Sequence, residues 1–301
     1  MNKTQAAGLS ILSNTFLIIS KVLVGLFTNS VSIISEAVHS LMDLLAAIIA
    51  FFSVKKSAEP ADDDHQYGHG KYEDFSGFAE GALIIIAAVY IVYESLEKLF
   101  GGKIDFIDSV AGVVVMGVSV VVNILVSRNL FKVAKETDSM ALLADAEHLR
   151  TDVLTSAGVL VGLVLIKITG FKILDPIVAI CVAMLIVKAG VTLCLASMKN
   201  LLDSSLPETE ISAIKAVLKE YSDGKILSYN NLKTRKAGDQ KLIEFTLIMP
   251  KDLTLDEAHK ICDQIENDLK IKISKNIITI HTEPCNNICI ECGFKKCESS
   301  F

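Results

Sequence analysis

Ser35-Glu-Ala-Val-His39-Ser-Leu-Met-Asp43 and Ala144-Asp-Ala-Glu-His148-Leu-Arg-Thr-Asp152 decide the architecture of this chain. Each lies in a stretch otherwise apolar enough to cross a bilayer, and each ends in a histidine and an aspartate four positions apart. On a helix that spacing puts both side chains on one face. Ionisable groups in hydrocarbon are expensive, so they usually face a polar cavity or a partner and mark an ion pathway. Two imidazoles and two carboxylates, one pair per helix, can supply the nitrogen and oxygen donors of a four-coordinate divalent metal site. A helix-packing histidine would explain one motif but accounts poorly for the same spacing twice.

The surrounding composition agrees. Of 301 residues 51% are hydrophobic, Trp is absent, and the mean hydropathy of +0.48 is too apolar for an ordinary soluble domain. The apolar residues crowd into the first two thirds, in blocks that span ~30 Å at ~1.5 Å rise per residue. We expect six transmembrane helices at Leu9–Phe27, Val31–Val54, Gly77–Tyr93, Ile107–Leu130, Leu142–Ile168 and Ile173–Ser197. Gly25, Gly81, Gly112, Gly117, Gly158 and Gly162 are expected to let helices approach closely in lipid. Asp175-Pro176 reads as a helix start. Lys3, Lys55, Lys56, Lys71, Arg128, Lys132, Lys135 and Lys199 concentrate on one side, which places both termini in the cytoplasm of a multi-pass cell-membrane protein. No cleavable signal peptide is evident after Met1.

After Leu206-Pro207 the sequence turns charged and amphipathic. The expected organisation is an all-α membrane domain over residues 1–206, a small α/β domain over 207–284 and a cysteine-rich tail over 285–301. The pattern of the second domain reads helix (Glu208–Tyr221), strand (Leu227–Arg235), strand (Lys241–Met249), helix (Leu255–Leu269), strand (Ile277–His281), with Lys236-Ala-Gly238-Asp as a hairpin turn.

Other polar residues in the apolar stretches have simpler readings. Lys21 is expected to snorkel to the outer interface, and Glu80 and Glu94 to sit at interfaces flanking the third span. Asn123 and Lys188 are expected to bond across helices or snorkel. Glu147, about 100° from His148 around the helix, is expected to face solvent or pair with Arg150. The net charge of −6 and pI near 5.6 argue against nucleic acid as a partner. The chain lacks His-Glu-x-x-His, a persuasive catalytic Ser or Cys, and a P-loop, so neither an enzyme nor an ATP-driven pump is expected, and no organic cofactor.

With Tyr67-Gly-His69-Gly-Lys71-Tyr-Glu73 and Leu174-Asp-Pro176 added to the two opening motifs, the chain resembles the cation diffusion facilitators along nearly its whole length. That resemblance implies a homodimer in which His39, Asp43, His148 and Asp152, between the second and fifth helices, alternately face the cytoplasm and the outside, exchanging metal outward for protons inward. Protonation weakens both donor types, so proton and metal compete for the same ligands. Imidazole nitrogen favours zinc(II) over the harder ions. The open alternatives are a manganese, iron, cobalt or cadmium exporter of the same family, or a membrane metal sensor without flux.

Three further clusters follow. Asp62, His65 and His69 in the second loop can converge on one ion, with Gly68 and Gly70 allowing tight turns, and the matching motif binds a second metal in some family members. The terminal domain resembles the family's ferredoxin-like, metallochaperone-like αββαβ dimerisation domain. There His259, His281 and Glu283 match regulatory ligands, while Asn230 and Thr246 stand where metal-binding relatives carry His. Cys285, Cys289, Cys292 and Cys297 read either as a thiolate metal site or as a disordered tail of reactive thiols. Cys181 and Cys194 are expected as apolar fillers, and Cys262 as a core residue.

Overall fold

The computed structural model describes residues 1–28, 31–101, 110–169, 171, 173–222 and 225–285. It divides into two compact units, residues 1–201 and 202–301.

The first unit contains α1 (Lys3–Thr28), α2 (Val31–Ser57), α3 (Lys71–Gly101), α4 (Val110–Thr137), α5 (Met140–Thr169) and α6 (Leu174–Leu201). At 26 to 31 residues each is long enough to traverse hydrocarbon. Their burial is the reverse of a soluble bundle. Ala6, Ala46, Ala50, Ala141 and Ala146 are buried, while Leu12, Phe16, Phe52, Ile86 and Leu125 face outward. Such a surface is stable only where the surrounding medium is itself apolar. Among the described residues four segments combine the length and hydropathy of a membrane span: Lys3–Phe27, Lys71–Glu97, Gly117–Thr137 and Pro176–Leu201. The other two long helices, α2 and α5, are those carrying the His-x-x-x-Asp motifs.

Small residues set the closest approach. α3 packs along α6 through Gly81 and Gly190. A Cβ at Gly190 would lie 2.8 Å from Ile85 Cγ1 and 3.0 Å from the Gly81 carbonyl oxygen; one at Gly81 would lie 2.8 Å from Cys194 Sγ. Gly158 likewise meets Val182. Gly117 does not follow this expectation, for a Cβ there would meet nothing within 4 Å.

At one end of the bundle, the buried carboxylate of Glu73 accepts hydrogen bonds from Lys3 Nζ at 2.7 Å, from Ser57 Oγ at 2.8 Å and from Ser139 Oγ. One acidic group in the first turn of α3 thus ties together α1, α2 and the start of α5. Lys21 corrects the snorkelling expectation. It is only 6% exposed and donates to Ser40 Oγ on α2 at 2.7 Å, because a partner across the helix pair satisfies the ammonium where it stands.

The second unit runs α7 (Glu208–Tyr221), β1 (Ser228–Ala237), β2 (Gln240–Met249), α8 (Leu255–Lys272) and β3 (Asn276–Pro284). β1 pairs antiparallel with β2 through a turn at Gly238, whose φ of +61° lies in the left-handed region that glycine adopts freely. β3 returns parallel to β2 after α8, giving the order β1-β2-β3. Ile214, Val217 and Leu218 of α7 and Ile265 and Leu269 of α8 bury against Ile243, Phe245 and Leu247 of β2, the central strand. Thr254 closes a capping box with Glu257 and defines the start of α8. Cys262 lies in this core as expected. Cys285 is also buried, its amide donating to the Met249 carbonyl at 2.9 Å, so it belongs to the end of the sheet and not to the tail. Cys289, Cys292 and Cys297 lie outside the described residues.

Candidate metal centre

The helical register of α2 and α5 brings together three of the four side chains of the two His-x-x-x-Asp motifs. Donor atoms of Asp43, His148 and Asp152 all lie within 4.8 Å of one another. His148 Nε2 stands 3.3 Å from Asp43 Oδ1, and both residues are buried. Asn14 Nδ2 on α1 donates to the backbone carbonyl of Asp43 at 3.4 Å, and Thr151 Oγ1 donates to that of His148 at 2.7 Å. His39 lies on α2 one turn before Asp43, but its side chain is outside the described residues.

The donor chemistry fits a divalent ion. Ligands at 2.0–2.2 Å from a tetrahedral centre sit about 3.3–3.6 Å apart. The His148–Asp43 separation equals the lower end of that edge, and a nitrogen with two carboxylates is a set that zinc accepts. Two acidic side chains around one imidazole also supply net negative charge in a water-poor setting, which favours a bound cation over an empty cluster.

The second cluster forms in the loop between α2 and α3. Asp62 Oδ1 accepts the backbone amides of His65 at 2.6 Å and Asp64 at 3.1 Å, folding the loop back on itself. The His65 amide contact, ahead of the nearby imidazoles, holds the Asp62 carboxyl below the usual range, so it stays ionised. Gly68, at φ +78°, reverses the chain and donates its amide to the His65 carbonyl at 2.8 Å. That turn brings His65 Nδ1 to 3.4 Å from Asp62 Oδ1 and His69 Nε2 to 3.3 Å from Asp62 Oδ2. All three donor groups lie within 4.8 Å.

The tautomer of His69 is informative. Its Nδ1 is 3.1 Å from the Pro60 carbonyl oxygen, which can only accept, so Nδ1 carries the hydrogen. Nε2 of the neutral ring then presents a lone pair to a carboxylate oxygen, buried and without a hydrogen-bond partner. Two acceptors facing each other require a cation between them or a proton on the ring. A carbonyl holding the far nitrogen is also how metal-bound imidazoles are oriented.

The remaining sites differ. His259 Nε2 lies 3.8 Å from Asp263 on its own helix, and His281 Nε2 lies 3.5 Å from Glu283 on its own strand. Among the described residues His259, His281 and Glu283 do not form a three-donor group. Asn230, Thr246 and His281 are aligned in register across the three strands. Glu147 pairs with Arg150 at 3.2 Å, as expected.

Two carboxylates escaped the sequence reading. Asp145 is fully buried on α5, and Glu80 is fully buried on α3 and not at an interface. Asp145 stands inside the quoted motif, and three positions before His148 it shares that residue's face. That was the available signal. For Glu80, only position relative to the neighbouring helices separates the core from the interface.

The comparisons extend these observations. Residues 8–202 match the cation efflux transmembrane domain, and residues 206–285 match the cytoplasmic domain of cation efflux proteins. An uncharacterised transporter of Synechocystis is 35% identical over 85% of this chain and 82% of its own length. One of Methanocaldococcus jannaschii is 31% identical over 87% and 91%. The cation-efflux pump FieF of Shewanella oneidensis is 32% identical over 93% of each chain. A solved structure of CzrB, described as a candidate zinc transporter, is 38% identical over 27% of this chain and 99% of its own, with a TM-score of 0.26. A helical membrane domain followed by a cytoplasmic domain built on a small sheet is thus shared in outline with cation efflux proteins, and the chain belongs to the cation diffusion facilitator family.

Proposed function

We propose that this protein is a homodimeric exporter of zinc(II) that crosses the cell membrane six times, keeps both termini in the cytoplasm and drives efflux by taking up protons. The observation that carries this reading is the convergence of Asp43, His148 and Asp152 in the interior of two long helices. The ion is the cargo, so its ligands must release it as well as bind it. His148 Nε2 and Asp43 Oδ1 face each other at 3.3 Å, a contact that a shared proton completes when no ion is bound. Zinc replaces that proton with a bond to each group. Protons arriving from the opposite side reverse the exchange, which makes efflux dependent on the proton gradient. His39 supplies the fourth donor.

Asp62, His65 and His69 hold a second ion in the loop, with Pro60 orienting His69 through its far nitrogen. The cytoplasmic unit, metallochaperone-like in its helix and strand order, provides the dimer contact. His259, His281 and Glu283, which form no three-donor group among the described residues, join a metal site with donors from a second copy or from the cysteines beyond residue 285. Imidazole at both clusters favours zinc over manganese, whose preferred donors are all oxygen.

The test is zinc flux into proteoliposomes under an imposed pH gradient, with manganese alongside, for the parent and for Asp152→Ala. Proton-driven zinc flux that disappears in the variant is the expected result. Folded, zinc-binding protein that moves neither ion would make it a sensor. Manganese flux without zinc flux would overturn the selectivity.

A further inference from the structure

Next to the metal cluster, the bundle encloses two acids with no assigned role. Glu80 on α3 and Asp145 on α5 are each 0% exposed. Each has one oxygen satisfied by a hydroxyl: Ser76 Oγ donates to Glu80 Oε1 and Ser10 Oγ to Asp145 Oδ1, both at 3.1 Å. The second oxygens, Glu80 Oε2 and Asp145 Oδ2, are buried with no hydrogen-bond partner among the described residues. No lysine or arginine pairs with either group there. The charges acting on them come from α5 and α2. Each of the two is within electrostatic reach of His148, Glu80 also of Asp145, and Asp145 also of Asp43. On α6 the thiol of Cys194 donates to the Phe78 carbonyl of α3 at 3.6 Å.

Two enclosed carboxylates that share one imidazole, each with an oxygen lacking any partner among the described residues, are costly to keep ionised together. Relief comes from a metal or from protons. A metal needs a third strong donor, and the three-donor groups among the described residues are the two already described. A proton needs only an oxygen without a partner, and each acid offers one.

We propose that Glu80 and Asp145 are a proton-holding pair coupled to the metal centre, each protonated on its unpartnered oxygen when the centre lacks metal. This rests on the reading of Asp43, His148 and Asp152 as the transport site. A divalent ion arriving beside the pair favours its ionised form. The O–H bond breaks, the proton passes to water, and the carboxylate left behind attracts the cation. Departure of the ion restores the protons. The pair therefore raises the number of protons exchanged per ion above what the ligands alone supply, without touching the ion.

Infrared spectroscopy of the full chain tests this directly. In metal-free protein at neutral pH, the carbonyl stretch of protonated carboxylic acids is present, is diminished in Glu80→Gln and in Asp145→Asn, and bleaches in the parent when zinc is added. Zinc titrations in buffers of different ionisation enthalpy then show fewer protons released per zinc in both variants, with affinity within about tenfold of the parent. A band untouched by either substitution overturns the proposal. So does a collapse of zinc affinity in Glu80→Gln with the band retained, which would make Glu80 a ligand. If Asp145→Asn fails to fold, the Glu80→Gln spectrum decides alone. Asp152→Asn separates the two readings: it abolishes the zinc-induced bleach and leaves the metal-free band, whereas a bleach that survives refutes the transport site and leaves the proton pair standing.

Discussion

Replacing Gly190 by alanine adds a single methyl group, and the structure fixes where it goes. The new Cβ would stand 2.8 Å from Ile85 Cγ1, 3.0 Å from the Gly81 carbonyl oxygen and 3.1 Å from Ile84 Cγ2. The isoleucine can rotate away, but the carbonyl belongs to the backbone of α3, so the two helices must separate. Overpacking of this kind costs about 1–3 kcal/mol. Alanine is also the better helix former by about 1 kcal/mol, which offsets part of that cost and hides it in a single comparison. Gly117 supplies the control, because a Cβ there meets nothing within 4 Å and its replacement gains the same propensity without a clash. The propensity contribution cancels between the two variants, leaving the packing cost of about 1–3 kcal/mol. At about 2–4 °C per kcal/mol for a domain of this size, Gly190→Ala should unfold roughly 2–12 °C below Gly117→Ala in the same detergent. Thermal unfolding followed by size-exclusion of the surviving protein measures the gap. Variants that melt together, or Gly190→Ala melting above Gly117→Ala, would refute the close approach of α3 and α6.

Asp43→Asn keeps the shape of the side chain and removes its charge. Losing a charged contact of about 1.5–3 kcal/mol weakens zinc binding about 10- to 150-fold by calorimetry, while Asp63→Asn, exposed and in neither cluster, leaves it unchanged. Gly68→Ala forces an L side chain to φ +78° at about 1–2 kcal/mol, and the expected readout is loss of one zinc equivalent from the loop with transport-site binding intact. Burial first, and then its bond to Asp268 at 2.5 Å, pushes the Tyr221 hydroxyl up to about 12. Because the folded value lies above the unfolded one, its contribution is complete below about pH 10 and is lost as pH rises through 12. Tyr221→Phe should therefore cost about 1 kcal/mol at pH 8, with the melting gap to the parent closing between pH 10 and 12; a constant gap would count against this.

The long helices were legible because hydrocarbon demands uninterrupted apolar runs, and the paired motifs because a four-residue step recurs on one helix face. The sheet unit was legible from alternation and from the turn at Gly238. The residues misread were those whose fate depends on a second helix. Lys21 finds Ser40 across the α1–α2 contact, Glu80 is fully buried in the bundle, and Gly117 faces open space while Gly190 does not. Propensity and hydropathy describe a residue against water or lipid, and the surroundings of Lys21 and Glu80 are neither.

The sequence by itself determined the division into an apolar helical unit and a charged α/β unit, and it determined which residue types could hold a divalent ion. Local rules suffice for those properties, because chain composition and helical period are set within a dozen residues. Tertiary structure decided which donors meet: that Asp43 of α2 reaches His148 of α5, that His69 turns Nε2 toward Asp62, and that Glu80 and Asp145 each keep a buried oxygen without a hydrogen-bond partner among the described residues. A contact between residues 105 positions apart depends on how helices cross, and crossing is fixed by the fit of side chains from several elements at once.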